Sequence, residues 1–359
     1  MENQNHLSIL LQGVEVWNAW RTKDSSIEPD LRGANIGPLN LEGINFRYVH
    51  LEKADLSGVC LKNSTLEGSY LQEAMIYRAD LSGCVMNRTH LEKANILKSD
   101  LRGVQLWDVD LRGAHIYETH LEGAELNGVR LGGADLFGSF FDEETKLSNV
   151  FFFDRDNTTP SLADVHWGNV NLSVVDWAPV KVLGNERIAH QKKTQNGKVK
   201  EKVTRMVEYR AAVRANRQLA AVLREQGLNE EADHFAYRAQ CLQRTVWRQQ
   251  GKWLKFLFFW FLYLLAGYGY RPLRSLFWYL IIIFGFALAY YGLGHLSLWP
   301  PDAIVYSLTS FHGRGFFPGL QSRPSLHDPL VMLAAFEAVI GLFIEISFIA
   351  TFTQRFFGR

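Results

Sequence analysis

Glu337 and Glu345 stand eight residues apart inside the apolar run 330–352, with Gly341 midway between them. At helical spacing the three share one face. A carboxylate in hydrocarbon is costly, so each must meet a donor, a cation or a wet cavity, and the stripe is expected to face a pore or a neighbouring subunit. The obvious cation is Arg314, in the stretch SLTSFHGRGFFPG (307–319). Three readings of Arg314 stay open: it packs behind the loop and pairs with Glu337, it lines a pore where it repels cations, or it sits in water at an outer mouth. The same stretch supplies Ser307 and Thr309 on a short helix, then His312, Gly313, Gly315, Phe316 and Phe317 on a loop. No nucleotide-binding loop or nucleophile–base motif is visible, so neither catalysis nor a cofactor is expected. His50, His90, His115 and His120 take outward positions without the clustering a metal site needs. Cys60, Cys84 and Cys241 are far apart and odd in number, which fits small buried side chains in a reducing compartment.

These residues need elements to carry them. Before Lys252 the chain is mixed and polar, and beyond it mostly apolar and aromatic. The start, MENQNHLSIL, has no basic n-region, so no secretory signal is expected. WLKFLFFWFLYLLAGYGYRPLR (253–274) has an uncharged run too short to cross a bilayer, which predicts an interfacial amphipathic helix over 253–270. Spans are predicted at about 273–294 and 330–352, and Pro300, Pro301 and Asp302 open a short helix at about 301–311. Arg271 and Arg274 precede the first span, while Arg355 and Arg359 follow the second. That places both termini in the cytoplasm, 295–329 outside, and the chain in the inner (plasma) membrane.

In this order, outer helix, short helix, glycine-rich loop and inner helix, 271–359 resembles the two-span pore domain of potassium channels. AIVYSLTSF (303–311) is similar to that family's pore helix, and FEAVIGLFIEISFIATFTQRFF (336–357) to its inner helix, with Gly341 at the hinge. The resemblance implies a re-entrant pore loop, a homotetramer and inorganic ions as partners. The filter departs from the family's T-V-G-Y-G-D: only Gly315 and the aromatic Phe316 agree, Arg314 replaces valine, and Phe317 replaces a glycine. A stack of carbonyl rings selecting potassium is therefore not expected.

The N-terminal part follows a different rule. From Leu31 to Phe141 every fifth residue is apolar, 23 positions without a break. Two residues before each centre the side chain is usually small, as at Ala34, Ala54, Ser64 and Ala94. A period of five is neither helix nor strand. It suits a square coil with leucines inside, small residues at the corners and four repeats per turn, and fixed-period repeats mean a solenoid. Units such as ADLSG (54–58) resemble the pentapeptide-repeat family, A(D/N)LXX. The register returns at Trp167, Leu172 and Trp177, beyond a loop around 154–160. Leu7, Leu10, Leu11, Val14 and Trp17 predict one helical face capping the first coil. Residues 29–143 hold 17 acidic and 11 basic side chains, too mild an excess for a nucleic-acid mimic.

Residues 181–252 hold 16 Lys/Arg against 7 Asp/Glu. Apolar residues spaced three and four on either side of Gly227 and Asn229 predict a helical hairpin, and its charge suits a lipid-facing role. The expected fold is therefore an N-terminal cap (1–28), a right-handed quadrilateral β-helix (29–178), a basic helical hairpin (179–252), the interfacial helix (253–270) and an all-α two-span pore domain (271–359). The expected function is a tetrameric potassium-channel-like channel with an atypical filter, gated or localised through the solenoid. The alternative is a membrane-anchored scaffold or signalling protein whose solenoid binds a protein partner. Both readings involve membrane lipids, and neither involves nucleic acid.

Overall fold

A computed structural model describes residues 4–23, 26–154, 156, 158–194, 197–293, 299–313 and 329–356. The chain divides into two compact units, Met1–Val246 and Trp247–Arg359.

In the first unit the five-residue ruler closes into a β-solenoid. Backbone bridges are parallel and join each residue to the one 20 positions on, as in Asp30 to His50 and Asn35 to Asp55, so one coil is four repeats. Six short strands stand out: β1 (Met75–Tyr77), β2 (Asn95–Leu97), β3 (Gln105–Trp107), β4 (His115–Tyr117), β5 (Glu125–Asn127) and β6 (Lys146–Ser148). They form two parallel sheets, β1-β2-β4 and β3-β5-β6, on different sides of the coil. Every repeat centre from Leu31 to Phe141 is buried.

The corners are made differently from the sequence expectation. The small residues two before each centre are themselves inside the coil, with Ala34, Ala54, Ala94 and Ala114 fully buried. Where such a residue is polar, its side chain donates to the carbonyl of a repeat centre, Ser69 to Leu66 in its own coil and the others to the centre 23 positions back. Ser64 reaches Leu41 at 3.1 Å, Thr89 reaches Leu66 at 3.0 Å, Ser99 reaches Ile76 at 3.0 Å and Thr119 reaches Ile96 at 3.0 Å. The turn is made two residues after each centre, where the backbone is left-handed at every such position from Gly33 to Gly138 except Pro38. Lys53, Glu73, Arg88 and Glu118 occupy that conformation although it disfavours side chains with a Cβ. The hydrogen bonds from coils on either side hold them there.

The ruler slips once and pauses once. Glu125 pairs with Lys146 and Arg130 with Phe151, an offset of 21, and Asp135 pairs with Ser161, an offset of 26. Asp142 absorbs the extra residue by accepting from the Gly123 and Thr145 amides, both at 2.9 Å. Asp154 ties the later loop by accepting from the Thr158 amide at 2.7 Å. The coil then resumes, and Leu162, Trp167, Leu172 and Trp177 are buried.

Both ends are capped. At the start, the expected single helix is two, α1 (Gln4–Leu10) and α2 (Val14–Lys23), broken at Gly13 with φ +108°. Asn18 treats the first coil as an edge strand, donating to the Gly43 carbonyl at 3.1 Å and accepting from the Asn45 amide at 2.8 Å. The Trp17 indole donates to the Asn45 carbonyl at 2.8 Å. At the far end, after α3 (Gly184–His190), the basic hairpin α4 (Lys202–Glu225) and α5 (Asn229–Gln249) lays Leu219, Leu223 and Phe235 on the solenoid core. Gln226 repeats the device of Asn18, accepting from the Leu172 amide at 2.8 Å and donating to the Val170 carbonyl at 2.7 Å. Arg214 binds Asp164 at 2.9 and 2.8 Å, and Arg238 binds Glu186 at 2.8 and 2.5 Å. Part of the hairpin's positive charge thus closes the coil.

The second unit is helical: α6 (Trp253–Ala266), a tight turn at Gly267–Gly269, α7 (Pro272–Leu293), α8 (Pro300–Phe311) and α9 (Pro329–Phe356). Two small clusters hold it together, Ile283 with Phe311 and Ile344, and Tyr290 with Ala303, Tyr306 and Ala334. Helices α7 and α9 are long and apolar enough to cross a membrane by length and composition, and only 17% and 22% of their apolar windows are buried.

Two measurements check the coil. Leu81→Ala should destabilise the solenoid by about 2–5 kcal/mol in urea unfolding of the full chain followed by circular dichroism, through lost burial plus a residual cavity. Burial pushes the Cys84 thiol up to about 12. A maleimide at neutral pH should therefore leave Cys84 unmodified in the folded chain and label it once urea opens the coil.

Candidate functional site

The glutamate–glycine stripe of α9 lies along α8. Glu337 is fully buried. Tyr290 on α7 donates its hydroxyl to Glu337 Oε2 at 2.6 Å, and Ser307 on α8 contacts Oε1. Ser307 Oγ also lies 2.9 Å from the Ile283 carbonyl, so one hydroxyl proton has two acceptors and joins all three helices. One turn on, a Cβ on Gly341 would meet the Phe311 carbonyl oxygen at 2.2 Å, so this glycine lets the end of α8 approach α9. Another turn on, Glu345 contacts His312 Nδ1, while His312 Nε2 lies 3.3 Å from the Tyr279 hydroxyl. Gly313, with φ +68°, ends α8, its amide donating to the Ser310 carbonyl at 2.9 Å. Thr309 only donates to the Tyr306 carbonyl at 3.0 Å. Arg314, Gly315, Phe316 and Phe317 lie outside the described residues, and with them the expected Arg314–Glu337 pair and the filter. Tyr290, which sequence reasoning passed over, has its signal in being a tyrosine inside an otherwise apolar run.

The solenoid carries arrays on its outer faces that no single repeat reveals. Because a coil is 20 residues, side chains 20 apart stack. His50, Tyr70 and His90 form one ladder, with centroids 4.6 and 5.1 Å apart and planes within 7°. His120, Phe140 and His166 form another at 4.8 and 4.5 Å. The histidines read as scattered are thus columnar, yet among the described residues no group of three or more His, Cys, Asp or Glu could hold a metal. The second ladder lines a cleft of about 530 Å³ with Lys98, Glu118 and Phe137. Around the adjoining corner, the β1-β2-β4 face presents Met75, Tyr77, Leu97, Tyr117 and Phe137. Met75 and Phe137 are exposed and the other three half-buried. Tyr117 is fixed by donating to Asp135 at 3.0 Å, with His115 Nδ1 at 3.1 Å. Burial raises the Asp135 carboxyl above the usual carboxylate range.

Comparison with known proteins follows the solenoid alone. The model of the pentapeptide-repeat family matches residues 30–63, 69–108 and 105–142, less than half of the chain. No curated protein matches. Among solved structures the chain is similar to QnrB1, a plasmid-mediated fluoroquinolone resistance protein, at 16% identity, covering 42% of this chain and 76% of that one with a TM-score of 0.23. It is similar to the pentapeptide-repeat protein Rfr23 from the cyanobacterium Cyanothece 51142, at 24% identity, 36% and 97% coverage and a TM-score of 0.20. It is also similar to HetL, a pentapeptide-repeat protein involved in heterocyst differentiation regulation from the cyanobacterium Nostoc sp. strain PCC 7120, at 23% identity, 41% and 77% coverage and a TM-score of 0.18. These likenesses bear on fold alone.

The chain therefore contains a pentapeptide-repeat β-solenoid followed by helices, two of them apolar enough to cross a membrane. Two expectations are corrected. The potassium-channel-like ion channel is withdrawn, because the family match is to pentapeptide repeats alone and lies within residues 30–142. The resemblance rested on the order of apolar segments around a short helix, and order along the chain does not by itself make a pore. The assignment to an inner (plasma) membrane, multi-pass with both termini cytoplasmic, falls with it. Length and composition alone make α7 and α9 candidate spans, and they set neither which membrane nor which orientation.

The carboxylate site makes a stability prediction. Tyr290→Phe and Ser307→Ala should each lower the thermal stability of the full-length chain by about 1–3 kcal/mol, because each leaves a Glu337 oxygen without its donor. The double variant should cost less than the sum, since both act on one group, and additive losses would show that the two hydroxyls act separately.

Proposed function

We propose that this protein is an anchored interaction scaffold, in which the solenoid binds a protein partner and the apolar helices hold it to a lipid bilayer. The observation that carries the reading is the apolar strip of Tyr77, Leu97, Tyr117 and Phe137, aromatic at three of its four places, with one side chain per coil at the spacing of parallel strands. It lies on an outer surface otherwise dressed with ion pairs such as Arg32–Asp30, Arg102–Asp100 and Lys98–Glu118. Aromatic side chains on a rigid sheet lose little entropy on docking and bury much area, the properties of an interface core. The anchor reading rests on exposure. Leu273, Phe277, Phe284, Leu288, Phe336, Phe343 and Ile349 all point away from the helical core, an apolar surface that water does not support. Filter selectivity and fourfold closure have no part in this function.

The test uses the full-length chain. It should co-float with phosphatidylcholine vesicles and resist extraction by high salt and alkaline carbonate, and a chain washed off by either treatment would remove the anchor. Tyr77→Glu with Phe137→Glu should abolish crosslinking of the solenoid to its partner while leaving flotation and the far-ultraviolet spectrum unchanged. An unaltered crosslinking pattern would move the partner surface away from this face.

A further inference from the structure

Helix α6 is the piece of the second unit that a spanning role does not account for. It has 14 residues, about 21 Å at 1.5 Å per residue, short of the roughly 30 Å of a hydrocarbon core. Leu265 and Ala266 at its end are buried, and Trp278 of α7 donates to the Leu264 carbonyl at 2.9 Å, so the end is docked. Phe259 packs on Trp247 and Tyr263 on Tyr268, but the opposite face of the helix is uncovered. Leu254, Leu257, Phe258 and Phe261, spaced three and four, form an exposed stripe, and Trp253 and Trp260 stand exposed beside it. Exposed Arg248, Lys252 and Lys255 gather at its beginning. Between Asp233 and Asp302 the chain holds no acidic residue, while it holds Arg238, Arg244, Arg248, Lys252, Lys255, Arg271 and Arg274.

Resting on the anchor reading above, we propose that α6 is a docking surface for anionic phospholipid. Its leucine and phenylalanine stripe lies in the acyl boundary, its tryptophans lie at headgroup level, and Arg248, Lys252 and Lys255 bind the headgroups. Charge of one sign selects this occupant. A second copy docked on the same stripe would bring its cations against these three, and a neutral headgroup would leave them without counter-charge. Tryptophan at the boundary and lysine reaching outward are the pairing that a water–lipid interface favours. Each cation near an anionic surface strengthens association by about fivefold.

The experiment places the full-length chain in phosphatidylcholine nanodiscs containing an equal small fraction of brominated phosphatidylglycerol or of brominated phosphatidylcholine. Brominated phosphatidylglycerol should quench tryptophan emission more strongly, and high salt should shrink the difference. Trp253→Phe with Trp260→Phe should remove it, which assigns the signal to α6. Neutralising all three cations (Arg248→Gln, Lys252→Gln, Lys255→Gln) should weaken the preference by about a hundredfold. If that variant does not fold, Lys255→Gln alone should weaken it by about fivefold. Equal quenching by the two lipids overturns the anionic preference while the anchor stands. A chain that enters the discs and keeps its preference without these cations overturns their assignment. A chain that fails to enter the discs overturns the anchor and this inference together.

Discussion

Main-chain hydrogen bonding between neighbouring coils, whose bridged residues are 20 apart, is the constraint from which the first unit follows. Once Leu31 N–H donates to the His50 carbonyl and the Asp55 amide to the Ala34 carbonyl, each coil must close on itself in four equal sides. A side of five residues then has one place that must point inward, one that must be small and one that must turn. The inward place takes leucine or isoleucine at every centre but Phe46, Met86 and Phe141, because an apolar side chain of about that size fills the lumen. The small place most often takes alanine, valine or a hydroxyl that can return its proton to a neighbouring carbonyl. The turning place takes a left-handed residue of almost any kind, since bonds above and below hold the conformation.

The same accounting explains the ends. A solenoid that stops exposes unpaired amides and carbonyls as well as core. Asn18 and Gln226 answer the first problem identically, each using a carboxamide as donor and acceptor to imitate a neighbouring strand. Trp17 and Phe235 answer the second by covering the lumen, Trp17 edge-on to Phe46 at 5.4 Å and Phe235 edge-on to Trp177 at 5.9 Å. The basic hairpin is thus in part a plug, and Arg214 lowers the Asp164 carboxyl below its ordinary range as it locks the plug in place.

The second unit solves the problem of polar groups in an apolar setting by bringing them together. Glu337 draws hydroxyls from two helices, and the glycine one turn later lets those helices close. What the unit leaves uncovered is apolar surface, and the proposed anchor rests on that outward face. Outward apolar side chains on both units, few on the solenoid and many on the helices, are what the proposed scaffold rests on.

The five-residue period alone determined the solenoid, its four-repeat coil and its inward leucines, because a repeat that returns 23 times imposes its geometry locally. The apolar segments and the short helix between them were equally legible, since length and hydropathy are properties of a segment. Which residue turns the corner was not, because Ala34 and Gly33 are both small and only the backbone angles separate their tasks. Nor were the ring ladders, for His50 and His90 are 40 residues apart and meet through Tyr70 only when coils stack. The partners of Glu337 belonged to the tertiary structure as well. Tyr290 and Ser307 lie 47 and 30 residues away, and a buried carboxylate states that it needs donors without saying which helices bring them.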